Sequence, residues 1–361
     1  MAIKSQDRYI TLDDGTVVKA TFPVVVSASR STDIPAFYAD WFFHRLEKGY
    51  SAWTNPFNGV KSYVGYQDAR FIIFWSKNPR PLLKYLDVLK AKGISCYIQY
   101  TLNDYEEEGL EKGVPPLSER IDTFRQLVEK LGKGSVIWRF DPLILTDKIA
   151  IDKLLKKIEN IGNQLKDYTE KLVFSFADIE SYRKVKNNLL KNHVNYSEWT
   201  YPQMEEFAKR LVDLNKSKGW NFALATCGEA AYLDGIEHNH CIDDRLIVRF
   251  GYQSKELIDY LGVDIISPTH SKVGLFEEYN TVDIPENAIP LENGDYAVIN
   301  QDNKAKGQRT ACGCMKSKDI GEYNTCPHLC EYCYANTSKE AAVRNWHQHK
   351  RNPLQDTITG R

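Results

Sequence analysis

Apolar residues recur along this chain in two alternating rhythms. Val24-Val25-Val26-Ser27-Ala28, Phe71-Ile72-Ile73-Phe74-Trp75, Ile94 to Thr101, Val136-Ile137-Trp138-Arg139-Phe140, Leu172 to Phe176 and Phe222 to Thr226 are short runs rich in β-branched and aromatic residues. Such runs read as buried strands. Between them, apolar residues fall at helical spacing. Asp33-Ile34-Pro35 supplies an N-cap with proline just inside, and the helix continues through Phe37, Trp41, Phe42 and Leu46 to Gly49. Further helices are expected over Pro79 to Lys92, Ser118 to Leu131, Lys148 to Leu165, Ser181 to Lys191 and Pro202 to Lys218. Tyr50-Ser51-Ala52-Trp53 reads as a weaker strand of the same set. Six or seven β-α units with apolar strands predict an α/β protein with parallel strands covered by helices. The count suits a (β/α) barrel, complete or partial, with an open doubly wound sheet as the alternative. After about residue 266 the rhythm fades, and residues 267–325 carry many Pro, Gly, Asn and Asp. The expected division is a barrel-like domain over 1–265 and a loop-rich segment over 266–361 packed on it, with a tail helix from Ser338 to His347.

Composition narrows the class. The chain has 361 residues, 42% apolar and 26% charged, which excludes a disordered or collagen-like polymer. One barrel of roughly 250 residues with an extension accounts for the length. The apolar runs are far shorter than the ~18 residues of a membrane helix. No apolar segment follows Met1-Ala2-Ile3-Lys4-Ser5-Gln6-Asp7, so a cytoplasmic location is expected. With 47 Lys+Arg against 48 Asp+Glu there is no global field drawing nucleic acid. A local basic patch remains compatible with it.

The eight cysteines change the picture. Cys326-Pro327-His328-Leu329-Cys330-Glu331-Tyr332-Cys333 is a C-x3-C-x2-C run. In a reducing compartment such clustering points to metal or redox chemistry rather than disulfides. Three thiolates on one loop can hold three corners of a [4Fe–4S] cube, where most such proteins use four cysteines. The fourth iron is then open to a substrate or cofactor. Zinc held by the cysteines with His328 is the alternative.

The run, with Tyr332 just before its third cysteine, resembles the radical S-adenosylmethionine (SAM) signature. That resemblance implies SAM bound at the open iron and reductive cleavage of its C–S bond. It also implies an electron donor such as flavodoxin or ferredoxin. In that superfamily the motif sits near the N-terminus, whereas here it occupies residues 326–333. A circular permutation reconciles the two: the tail helix stands for the first barrel helix, and Val24 to Ala28 for the next strand. Ser27-Ala28-Ser29-Arg30-Ser31-Thr32-Asp33 then replaces the Gly-Gly-Glu-like stretch that contacts the SAM amino group, with Asp33 either a contact or only a helix cap. The stretches Ser27 to Pro35, Phe74-Trp75-Ser76-Lys77-Asn78-Pro79, Asp319 to Cys326 and Cys330 to Asn336 are similar to the domain of unknown function 1848 family. It implies a radical-SAM-like protein with no assigned substrate. Other readings keep the clusters in an electron carrier or sensor, or place the protein among nucleic-acid repair or modification lyases.

Four further cysteines form a second candidate set. Cys227 ends a strand, Cys241 lies fourteen residues on, and Cys312-Gly313-Cys314 is a C-x-C pair. Four thiolates suffice for an auxiliary [4Fe–4S] cluster or a structural zinc, with His238 or His240 as a substitute ligand. Cys96 sits within an apolar strand and reads as core. In a (β/α) barrel the chemistry lies at the carboxyl ends of the strands. The polar residues expected there are Arg30, Asp33, Lys77, Asn78, Tyr100, Asn103, Arg139, Asp141 and Ser175. Arg30, Asp33, Lys77, Arg139 and Tyr332 are the candidates for SAM or substrate, a buried arginine being able to grip a carboxylate bidentately. Arg139 to Pro142 also reads as a salt bridge with a turn, and Lys77-Asn78-Pro79 as a helix start. The basic tail helix with Trp346 reads as a solvated helix with one apolar stripe, or as a phosphate contact.

Overall fold

A computed structural model describes residues 8–55, 58–268, 283–307 and 312–360. Residues 1–7, and 269–282 and 308–311 of the loop-rich stretch, lie outside the described residues.

The expected strands form one eight-stranded sheet, all of whose neighbours run parallel. In chain order they are β1 (Val25–Ala28), β2 (Phe71–Ser76), β3 (Ser95–Thr101), β4 (Val136–Leu143), β5 (Lys171–Phe176), β6 (Ala223–Thr226), β7 (Glu237–His238) and β8 (Lys318–Asp319). From β1 to β7 each strand lies beside its predecessor, so no reversal of order divides the sheet as a doubly wound fold requires. β8 is added beside β1, with Lys318 opposite Val26 and Asp319 opposite Ser27. Among the described residues β7 and β8 each pair on one side only, so barrel closure is absent.

The helices follow the periodicity. Asp33 caps the short helix α1 (Ile34–Phe37), its Oδ1 accepting the Ala36 amide at 3.0 Å. α2 (Ala39–Lys48) ends at Gly49, whose φ of 84° only glycine adopts freely. Arg80–Tyr85 is a 3₁₀ turn that leads into α3 (Leu86–Ala91). α4 (Leu117–Leu131), α5 (Ile151–Leu165), α6 (Arg183–Lys191) and α7 (Tyr201–Ser217) complete the crossovers.

Strand side chains alternate between two apolar layers, as the pleat dictates. Val26, Ile72, Phe74, Ile98, Trp138, Leu172 and Phe174 face the crossover helices, meeting Phe42, Phe124, Leu154 and Phe207. Val25, Phe71, Ile73, Tyr97, Ile137, Val173 and Ala225 face the other way. That face is covered by α8 (Asp244–Gly251), α9 (Lys255–Leu261) and a small antiparallel sheet of Val263–Ile266, Tyr296–Ile299 and Ile289–Pro290. A last helix, α10 (Lys339–Arg351), packs Trp346 against Phe37 and Tyr38.

One strand is corrected. Tyr50–Thr54 does not join the parallel set. It pairs antiparallel with Lys61–Gly65, within a separate four-stranded sheet that includes Arg8–Thr11 and Val17–Thr21. The connection over residues 55–60 is far too short for a parallel crossover and suits an antiparallel return. No helix among the described residues is long and apolar enough to cross a membrane.

Candidate functional site

The carboxyl ends of the parallel strands open onto a cavity of about 470 Å³. Its wall holds seven of the eight cysteines: Cys227, Cys241, Cys312, Cys314, Cys326, Cys330 and Cys333. Cys96 lies elsewhere, buried in the helix-facing layer, where burial pushes its thiol up to about 12.

The C-x3-C-x2-C loop is anchored from both ends. Upstream, Asp319 Oδ2 accepts the Ser27 hydroxyl at 3.0 Å and the Arg30 amide at 2.9 Å. Gly321 lies so close to Ser29 that a Cβ there would stand 1.8 Å from the serine oxygen. Within the loop, the Gly113 amide donates to the His328 carbonyl at 3.0 Å and the Glu331 amide to the Leu110 carbonyl at 2.9 Å. A Cβ on Gly113 would sit 2.6 Å from the His328 carbonyl oxygen. The cysteine loop is therefore seated backbone to backbone on the segment after β3. His328 is buried with both ring nitrogens engaged, Nε2 at 2.8 Å from Asp33 Oδ2 and Nδ1 at 3.0 Å from the Gly113 carbonyl. Both ring nitrogens are thus already engaged by protein oxygens.

A buried charge network stands behind Cys330. Lys77 Nζ donates to Glu111 Oε1 at 2.6 Å and to the Tyr332 hydroxyl at 2.8 Å. Tyr332 itself donates to Glu111, and Asn103 Nδ2 reaches the tyrosine oxygen at 3.0 Å. Burial alone would raise the Glu111 carboxyl; the adjoining Lys77 and Arg120 charges outweigh it and hold it at about 2. Burial disfavours the Lys77 ammonium, yet Glu111 and Cys330 bring it above its usual value. Arg120 is 1% exposed, with Glu111 Oε2 at 3.9 Å and Glu106 Oε1 at 3.6 Å from its terminal nitrogens.

The second set gathers across the mouth. Cys227 Sγ and Cys241 Sγ are 3.0 Å apart, and the Cys241 amide donates to Cys314 Sγ at 3.2 Å. Arg139 Nη1 approaches Cys241 Sγ at 3.3 Å and also donates to Gln99 Oε1 at 3.0 Å, while its other nitrogens hold Asp141. Hydrogen bonds from Cys227 and Cys314, with the Arg139 guanidinium, outweigh burial and favour the Cys241 thiolate. Gly313 allows the C-x-C turn to lie under His240, whose ring nitrogen would be 2.1 Å from a Cβ there. His238 is exposed on β7.

The remaining sequence candidates separate. Arg30, Asp33, Lys77, Arg139, Asp141, Ser175 and Tyr332 line the cavity. Asp33 has both oxygens spent, on the Ala36 amide, the Ser76 hydroxyl, the Lys77 amide and His328, so it acts as a cap and clamp. Arg30 is the most open cation, its Nε 3.7 Å from Asp319 with a third of the side chain exposed. Asn103 belongs to the charge network and Asn78 to the turn after β2. Tyr100 is a correction: it faces the helix layer, its hydroxyl on the Arg120 carbonyl at 3.0 Å, because an even position of β3 points away from the mouth. Arg139 to Pro142 is strand rather than turn, although the Arg139–Asp141 ion pair forms. Glu111, Arg120 and the clamping role of His328 escape sequence reasoning. The 105–114 segment has no apolar rhythm, and its three glutamates before Gly109 read as a solvated face.

The donor spacing tests the metal. Zinc at ~2.3 Å from tetrahedral thiolates would draw its sulfurs to ~3.8 Å of one another. Among the described residues the single trio of ligating groups lying within 4.8 Å is His240, Asp243 and Asp244. Among the described residues no three cysteine sulfurs lie within that distance of one another. By donor chemistry, the three thiols Cys326, Cys330 and Cys333 on one cavity wall would suit corners of an iron–sulfur cube or, with a further ligand, zinc. No curated protein and no solved structure matches this chain. The family model described as domain of unknown function (DUF1848) matches residues 25–335, and the chain belongs to that family.

Proposed function

We propose that this protein is a radical-SAM-like iron–sulfur enzyme on a partial, circularly permuted barrel. The observation that carries the reading is the convergence of an incomplete three-cysteine loop and a second four-cysteine set on one cavity at the carboxyl edge of a parallel sheet. Cys326, Cys330 and Cys333 would hold the open cluster, and Cys227, Cys241, Cys312 and Cys314 an auxiliary one. When bound, a reduced [4Fe–4S] cluster with SAM on its open iron supplies one-electron cleavage to a 5′-deoxyadenosyl radical.

The permutation rests on β8, the cysteine loop and α10 forming a β-loop-α unit beside β1, with the strand contributed by the end of the chain. The chain's own residues then divide the work. The 105–114 segment and the Asp33–His328 clamp fix the loop. Lys77 offsets thiolate charge at Cys330, and Arg139 does so at Cys241. Arg30, a third exposed beside Asp319, would be the cation to meet a carboxylate or another anion in the cavity, as a guanidinium does bidentately. The buried wall excludes water from a reactive intermediate. A simple electron carrier needs no cavity of this size beside an open coordination position.

Anaerobic reconstitution tests the reading. About four iron atoms per cluster are expected, with Cys330→Ala losing one cluster and Cys227→Ala the other. Dithionite and SAM should then yield 5′-deoxyadenosine from wild type and from neither substrate-free Cys330→Ala nor apo-protein. Iron loading without any 5′-deoxyadenosine would make it a carrier or sensor, and a colourless zinc protein would remove the reading altogether.

A further inference from the structure

Cys227 and Cys241 meet more tightly than a shared metal asks. Their sulfurs are 3.0 Å apart, whereas two thiolates on one zinc stand ~3.8 Å apart. Backbone fixes both ends of the contact. The Cys227 amide donates to the Phe174 carbonyl at 2.9 Å, which ties it to β5. The Asn239 amide donates to the Thr226 carbonyl at 2.8 Å, which ties the approach to Cys241 to β6. The Cys241 carbonyl accepts the Tyr97 hydroxyl at 2.8 Å and Gln99 Nε2 at 2.9 Å. Its sulfur accepts Arg139 Nη1 at 3.3 Å and Asn239 Nδ2 at 3.2 Å. Nearby, Cys314 Sγ accepts the Cys241 and Ile242 amides at 3.2 and 3.5 Å. Cys241 is 5% and Cys314 3% exposed, so Cys227, half-buried on the cavity wall, is the sulfur of the three that an incoming molecule meets first.

We propose that Cys227 and Cys241 form a redox-active dithiol, an oxidation site on the cavity wall that closes to a disulfide in the metal-free protein. About 1 Å of approach joins sulfurs already in contact. The oxidant is a small disulfide such as oxidised glutathione. Cys227 Sγ attacks one of its sulfurs, forming a mixed disulfide and releasing one glutathione thiol. Cys241 Sγ then attacks Cys227 Sγ and releases the second. Two protein thiols are oxidised, one glutathione disulfide is reduced, and the two thiol protons leave with the two glutathiones. Arg139 and Asn239 hold the resolving sulfur in place. The closed pair withdraws two of the four sulfurs of the second set, so metal and disulfide exclude one another there. Only that exclusion rests on the iron–sulfur reading above; the disulfide itself needs no metal.

The test uses the full chain purified without metal. After treatment with oxidised glutathione, free thiols are alkylated and the peptides mapped by mass spectrometry. A Cys227–Cys241 link is expected, with Cys326, Cys330 and Cys333 alkylated, and dithiothreitol should open it. Cys241→Ser, its fold checked by circular dichroism, should instead retain glutathione on Cys227, because the resolving sulfur is gone. A wild-type chain that keeps glutathione on Cys227, links Cys241 to Cys314, or leaves both thiols free would overturn the proposal. The reconstituted protein, treated in the same way for the same time, should form no link. A link there as fast as in the metal-free chain would show that the second set holds no cluster, while the dithiol stands. Iron loading at both sets, with no link in the metal-free chain, would remove the dithiol and leave the cluster reading in place.

Discussion

Glu111 shows how much a single carboxylate organises here. It is 4% exposed and takes Lys77, Tyr332 and Asn103 on one oxygen, with Arg120 near the other. Removing one partner from a buried ionic cluster leaves the others uncompensated, at about 3–5 kcal/mol. Glu111→Gln should therefore unfold at markedly lower urea than wild type at pH 7. Because the folded carboxyl is held at about 2 against an ordinary 4.5, its contribution is complete above the ordinary value and fades as pH falls toward the folded one. The gap between wild type and variant should accordingly narrow from pH 4.5 downward. A gap that stayed constant to pH 3 would show that the folded Glu111 carboxyl is not held below its ordinary value. Arg139 plays a parallel part at the second set. If the second set holds a cluster as proposed, Arg139→Leu should lower its iron loading, read as iron per chain in a Cys330→Ala background.

At the scale of elements, the informative contact is between two loops. The cysteine loop and the 105–114 segment approach so closely at Gly113 that a side chain would meet two backbone carbonyls, those of His328 and Pro327. Backbone cannot step aside as a flexible side chain can, so Gly113→Ala should cost about 1–3 kcal/mol. It should also displace the loop, lowering cluster absorbance in a Cys227→Ala background while the helical circular dichroism is kept. Normal absorbance there would mean that the two loops need not touch. The strands and crossover helices were legible because burial imposes periods of 2 and 3.6 on Phe71–Ser76 or Leu117–Leu131 directly. The C-x3-C-x2-C spacing was legible for the same reason: its chemistry is local. Glu111 was not, since its partners Lys77 and Tyr332 arrive from β2 and from a loop more than two hundred residues away. Tyr50–Thr54 has the composition of a buried strand, and only its short return to Lys61–Gly65 sets its direction.

For the molecule as a whole, both faces of the sheet must be covered before the mouth is complete. The helix face is closed by the crossovers of the first 217 residues together with the cysteine loop and Trp346 of α10, and the opposite face needs α8, α9 and residues up to Met315. A chain ending after Ile266 would lose Ile289, Leu291, Ala297, Cys314 and Met315 from that apolar layer and bare the edge of β1. Unpaired parallel edges and open apolar faces drive association. Such a truncation should be recovered as aggregate by light scattering, and a monodisperse monomer would count against the sheet as described.

The pairing of β8 with β1 also has a history in time. Ser27 and Asp319 are hydrogen-bonded across 292 positions. At about 5–20 residues per second, a ribosome would take roughly 15–60 seconds to make the chain between them. β1 thus emerges early and waits with one edge bare, and Cys326, Cys330 and Cys333 are made only when almost the entire chain has been synthesised. On the iron–sulfur reading proposed above, iron would then have to reach a body already largely folded, through the mouth of the cavity. A chaperone that shields the β1 edge during that interval, or slowed translation that prolongs it, would change the yield of loaded protein without altering one residue of its sequence.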